Sequence, residues 1–200
     1  MRRGLTLLIC AALLGLAGAA LLVRGRMARC AAVPLLAGDL LPPPDFGRLI
    51  EQPSGAGALP AGWSAKARGV QVGSFTVSGG GRSFQLIGIA NALLSPPIAV
   101  RAGQSYCVAV QALADSPVSA TRLRVSFEWR DTQGKPVAAD QSDWQDVRRW
   151  QGPDDRGGWS RIAAGFRAPD DAAQLAIAFH PASDDRVYLD DFHVRPTIGV

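Results

Sequence analysis

Arg122-Leu123-Arg124-Val125-Ser126-Phe127-Glu128-Trp129-Arg130 is the stretch that decides the fold of this chain. Leu123, Val125, Phe127 and Trp129 alternate with Arg124, Ser126 and Glu128. Successive side chains of a β-strand point to opposite faces, so the run puts four large apolar groups on one side and polar groups on the other. A strand buried on one face and solvated on the other belongs to an antiparallel sheet. Asp131, Gly134 and Pro136 follow as turn signals.

The same logic extends in both directions. Residues 69–77, 83–90, 98–101, 105–113, 144–150, 159–167, 173–180 and 186–195 read as further strands. Gly79-Gly80-Gly81, Ser95-Pro96-Pro97, Ala102-Gly103, Gly152-Pro153, Pro169-Asp170 and Pro181 punctuate them. No helix-period segment of useful length follows residue 50. Many short strands with Gly/Pro turns predict an all-β, antiparallel β-sandwich or jelly roll. A domain of this size can bury a sufficient core without disulfides or metals. Cys10, Cys30 and Cys107 make no disulfide framework and read as three unpaired thiols, Cys107 being a small buried apolar residue of a strand.

The charge is unevenly spread. Of the 21 basic residues, Arg2, Arg3, Arg24, Arg26 and Arg29 come before the first acid, Asp39. Residues 30–200 hold 16 basic against 17 acidic groups. The net charge of +4 therefore belongs to the leader, which argues against a nucleic-acid-binding surface on the domain. Arginine outnumbers lysine 19 to 2, a usage consistent with a GC-rich bacterial genome.

Residues 4–23 form an uncharged run of 20 between two basic flanks. A helix of about 20 residues spans a bilayer core. The run reads as one N-terminal transmembrane helix, a signal-anchor, with the main domain extracytoplasmic and the N-terminus cytoplasmic. Its rival is a signal peptide cleaved near Ala19, leaving a secreted domain. Cys30 makes a poor lipidation site, because Arg29 stands where a small residue is needed. The organisation that follows is 1–29 as anchor, 30–58 as a Pro/Gly-rich stalk and first strand, 59–196 as the sandwich, and 197–200 as a tail.

Several motifs carry a family resemblance. They are Leu59-Pro60-Ala61-Gly62-Trp63; Ile98-Ala99-Val100-Arg101-Ala102-Gly103-Gln104-Ser105-Tyr106; the hairpin from Phe127-Glu128-Trp129 to Gly134; Trp159-Ser160-Arg161-Ile162 with Phe166-Arg167-Ala168-Pro169; and Val187-Tyr188-Leu189-Asp190-Asp191-Phe192-His193-Val194. In this order they resemble motifs of carbohydrate-binding-module-like, galactose-binding-like jelly rolls. The resemblance implies that fold, structural positions for Trp63, Trp129 and Trp159, and a binding cleft on one sheet face. It also implies that Asp190 helps to hold a structural Ca²⁺. Asp45-Phe46-Gly47-Arg48 departs from the pattern, with Gly and then Arg where relatives often carry an acid after the Phe.

Sugar rings present C–H faces and hydroxyl rims, so a cleft needs flat aromatics beside planar polar groups. Trp144 and Trp150 sit among Asp140, Gln141, Asp143, Asp146, Arg148 and Arg149. Their separation of six places them on one side of a regular strand. Trp144, Trp150 and Arg148 are therefore candidate ligand-binding residues. Arg124 and Glu128, on the polar face of 122–130, are candidates to line the same cleft; cross-strand ion pairing on a solvated face explains those two equally well. His180 and His193 stand in no zinc-binding or nucleophile-elbow motif. The sequence thus predicts a membrane-tethered, non-catalytic module for an envelope or extracellular glycan. The alternative is an accessory subunit of a membrane complex, its Gly/Ala-rich helix packing against other helices and its sandwich acting as a docking domain.

Overall fold

A computed structural model describes residue 30 and residues 38–74, 81–115, 121–152 and 157–197. The apolar run 4–23 and Cys10 lie outside them. The strands in chain order are β1 (Leu49–Ile50), β2 (Leu59–Pro60), β3 (Ser64–Ala65), β4 (Val70–Gly73), β5 (Ser83–Ile87), β6 (Leu93–Leu94) and β7 (Ile98–Ala99). They continue with β8 (Ser105–Asp115), β9 (Thr121–Arg130), β10 (Pro136–Gln141), β11 (Gln145–Val147), β12 (Ser160–Arg167), β13 (Gln174–Pro181) and β14 (Arg186–Pro196). All the pairings between these strands are antiparallel.

Two sheets face each other. One runs β10-β9-β13-β6-β3, with β11 also on β9 and β7 also on β13. The other runs β12-β8-β14-β5-β4. The inward residues of β9 are Leu123, Val125, Phe127 and Trp129, all buried as the alternation requires. Leu175, Ile177 and Phe179 of β13 lie beside them in the same core as Val108, Val110 and Ala112 of β8 and Val187 and Leu189 of β14. Rings bridge the two sheets: Phe127 packs on Phe166 of β12, and Phe179 on Phe192 of β14. Trp63 joins Phe84 and Phe192, and Trp129 lies near Tyr106. Burying such rings stabilises the sandwich by about 1.5–3 kcal/mol each.

The turn after β9 forms as its residues dictate. Asp131 Oδ1 accepts the backbone N–H groups of Gln133 and Lys135, and Gly134 takes the φ of 78° that other residues resist. Pro136 begins a strand rather than ending a turn. It is the first residue of an edge strand, where a missing N–H costs no ladder bond.

One expectation needs correction. Cys30 and Cys107 are not free thiols: they form a disulfide, with Cα atoms 5.4 Å apart and a sequence separation of 77. Residues 38–58, within the segment 30–58 expected to hold a stalk and the first strand, do carry the first strand, β1, and also pack on the sandwich. Leu41 is buried in the core, Leu40 donates its N–H to the Val194 carbonyl, and Asp39 binds Arg195 and His193. The segment has enough apolar and charged anchors to belong to the domain. Among the described residues no helix is long and apolar enough to cross a membrane.

Candidate functional site

Register places the outward side chains of the seven-stranded sheet in rows. One row is Gln141, Ser126, Ala178, Leu94 and Ser64. The next is Ala139, Glu128 and Ala176, and beyond it lie Pro136, Arg130 and Gln174. On the other side Arg124 pairs with His180. The inward partners on β13 are Leu, Ile and Phe, whereas its outward residues at the centre are Ala176 and Ala178. This size difference lowers the sheet's outer surface into a groove of about 470 Å³. Ser126, Glu128, Ala176 and Ala178 line it with Leu94, Val137, Ala139 and Lys66.

Polar groups frame the groove. Glu128 and Arg130 form an ion pair of 3.0 Å. Ser126 Oγ and His180 Nε2 share a hydrogen bond of 2.7 Å. Burial, then the charges of Lys66 and Arg124, push the His180 imidazole down to about 4, so it is neutral at physiological pH. Arg124 lies over the Trp144 ring, its Cζ 4.6 Å from the centroid, a cation–π contact. Trp129 Nε1 donates to Asp140 Oδ2 at the sheet edge, which satisfies the indole while the ring stays in the core.

The expected site residues divide. Arg124, Glu128 and Trp144 come together on the outer face of β9 and its edge. Trp150 and Arg148 do not join them. Strand β11 ends at Val147, and the chain crosses to the other sheet. There Arg148 donates its backbone N–H to Ser160 Oγ and accepts from Ala114 N–H, and Trp150 N–H donates to the Ala114 carbonyl. The two tryptophans therefore share no regular strand, and the even-spacing argument fails because the strand stops between them.

Asp190 sits at a break in the β14 register, where Asp191 takes a φ of 54° and its N–H binds Asp190 Oδ1. Calcium needs six to eight oxygen ligands. The carboxylates nearby have side-chain partners of their own: Asp191 Oδ1 lies 3.0 Å from His193 Nε2, and Asp39 meets His193 Nδ1 and Arg195 Nε. No group of three or more His, Cys, Asp or Glu that could hold a metal occurs among the described residues.

No family model and no curated protein sequence matches the chain. Solved structures do. The CBM22-1 xylan-binding domain of Xyn10C from Paenibacillus barcinonensis aligns with a TM-score of 0.55 at 18% identity, over 82% of this chain and 98% of that one. The CBM22-1–GH10 modules of xylanase 10B from Clostridium thermocellum, complexed with xylohexaose, align with a TM-score of 0.57 at 14% identity. The alignment covers 81% of this chain and 29% of that xylanase chain. The tandem CBM22-1–CBM22-2 domain of the Paenibacillus protein gives a TM-score of 0.53 at 18% identity, over 84% of this chain and 48% of that one.

The chain shares its fold with carbohydrate-binding modules. At these identities the likeness is one of fold, and the residues facing the groove are this chain's own. Sequence reading missed Lys66, His180, Ala176 and Ala178. Lys66 falls just after a two-residue strand, too short to show a period. The alternation along 174–180 marks which β13 residues face outward, but not which strand lies beside them.

Proposed function

We propose that this chain is a non-catalytic module that binds polysaccharide along the groove of its seven-stranded sheet, held extracytoplasmically by a membrane anchor. The groove itself carries the reading: a floor of alanines and a serine, flanked by Arg124 with Trp144 at one end and by the Glu128–Arg130 pair at the other. Its volume lies in the range of about 300–1,000 Å³ seen for ligand sites. Shared fold with modules described as xylan-binding, or solved with xylohexaose, supports a glycan ligand. The run 4–23 with its arginine flanks supports the anchor. The Cys30–Cys107 disulfide supports an oxidising compartment outside the cytosol.

An accessory role in a membrane complex is the second reading. One observation favours it: the aromatic residue among the described residues lining the groove, Phe127, is buried in the core, and Arg124 lies over the Trp144 ring. Affinity electrophoresis of the full-length protein in neutral detergent against a panel of polysaccharides separates the two. The wild type is retarded by at least one polymer, and Ala178→Trp, which fills the groove, abolishes the retardation while keeping the wild-type circular dichroism. Absence of retardation by every polymer, or equal retardation of the variant, overturns the glycan reading. Co-purification of a defined membrane partner in mild detergent then supports the second.

A further inference from the structure

Two cations converge on one end of the groove. Arg124 projects from β9 and Lys66 follows β3, on opposite sides of His180 in β13. Lys66 lines the groove itself, its backbone N–H bonded to the Ala92 carbonyl, and the charges of both cations lower the proton affinity of His180. Neither has a carboxylate partner among the described residues. Arg124 Nε is also buried without a hydrogen-bond acceptor. The other half-buried arginines of the two sheets, Arg130 and Arg195, have acids at 2.9–3.0 Å, whereas Arg122, Arg161 and Arg167, which have none among the described residues, are exposed to solvent. Keeping a partly buried guanidinium without a counter-charge costs free energy that an anionic ligand would return.

We infer that the Arg124–Lys66 end of the groove is an anion subsite, and that the bound polysaccharide carries a uronic-acid carboxylate there. This inference rests on the glycan reading of the groove and deepens it. A planar guanidinium fork fits a planar carboxylate with two parallel hydrogen bonds. The ammonium of Lys66 adds a second point charge from the far side. Ser126 Oγ and His180 Nε2 supply a neutral hydrogen-bonding pair beside them for a ring hydroxyl. Trp144 holds the guanidinium from behind, so its orientation is set before the ligand arrives. Because residues 30–200 are close to neutral overall, the attraction is local to two residues rather than a property of a basic surface.

The test uses full-length protein in neutral detergent and titrates polygalacturonate, the same polymer after carboxyl reduction, and dextran sulfate. The wild type binds polygalacturonate at least tenfold more tightly than the reduced polymer, and the preference shrinks with added salt. Lys66→Ala, at an exposed position, and Arg124→Gln each remove most of that preference. Arg161→Ala, on the other sheet, retains it. Equal affinity for the native and reduced polymers overturns the anion subsite and leaves the glycan reading standing. Binding of neither, nor of any neutral polymer, overturns both. Retention on dextran sulfate as strong as on polygalacturonate, and unchanged in Lys66→Ala, shows general charge attraction and also overturns it.

Discussion

His180 shows at the residue scale how the groove sets chemistry. An imidazole that stays neutral to about pH 4 must fold at a cost once the unfolded chain begins to take up its proton near 6.5. Between those values the unfolded state binds more protons than the folded one, so stability rises with pH across the window. Acidification from pH 6.5 toward 4 therefore removes stability through this residue, and below the folded value no further loss accrues from it. Titration followed by imidazole NMR resonances should give a midpoint near 4 for His180. In the Lys66→Ala variant the midpoint moves upward, because one repelling charge is gone. A wild-type midpoint at the ordinary histidine value would remove the electrostatic coupling between His180 and its two cations.

At the scale of elements, most of the longer strands were legible, but β10 (Pro136–Gln141) and four two-residue strands were not. Alternation over 122–130 revealed β9 with its faces, because a buried strand repeats every two residues and nine residues show several repeats. The two-residue strands β1, β2, β3 and β6 leave no period to read. The segment before β1 shows a different kind of attachment. Burial raises the Asp39 carboxyl, but hydrogen bonds from Arg195 and His193 outweigh it and hold the group below its usual value. This lowered value adds stability above the unfolded carboxylate range that disappears as pH falls. Asp39→Asn loosens the contact to β14. The cost is about 1 kcal/mol, since the pair is partly exposed, and it is measured as a shift in urea midpoint at pH 7. At pH 3 the difference from wild type narrows. An unchanged midpoint at pH 7 would show the segment to be held by Leu41 and the disulfide alone.

The disulfide governs the whole molecule. Closing the loop between Cys30 and Cys107, a sequence separation of 77, restricts the unfolded chain by about 4.5 kcal/mol. Cys107→Ala should lower Tm by about 10 °C, read by differential scanning calorimetry of the oxidised protein. Non-reducing peptide mapping should recover the 30–107 cross-link and leave Cys10 outside it; a 10–30 pairing would contradict the structure. The bond also fixes a distance. Only residues 24–29 separate the apolar run from Cys30, so a fully extended connection spans about 20 Å. An anchored domain would sit close to the bilayer, with the face of β8 that bears Cys107 nearest to it.

Neighbouring residues alone determined most of the longer strands, the apolar face of β9, several Gly and Pro turns, and where the charge and the long apolar run lie. These are local properties: the strand period, turn chemistry and hydropathy of consecutive residues need no knowledge of distant partners. Tertiary structure alone decided that Ser126, Ala178 and Leu94 share a row, that Lys66 and Arg124 flank His180 from opposite sides, that Trp150 leaves Trp144 for the other sheet, and that Cys30 finds Cys107. Each of these depends on strand order and register. Both are set by the packing of one shared core, because shifting a strand by a single residue would turn its apolar face to solvent.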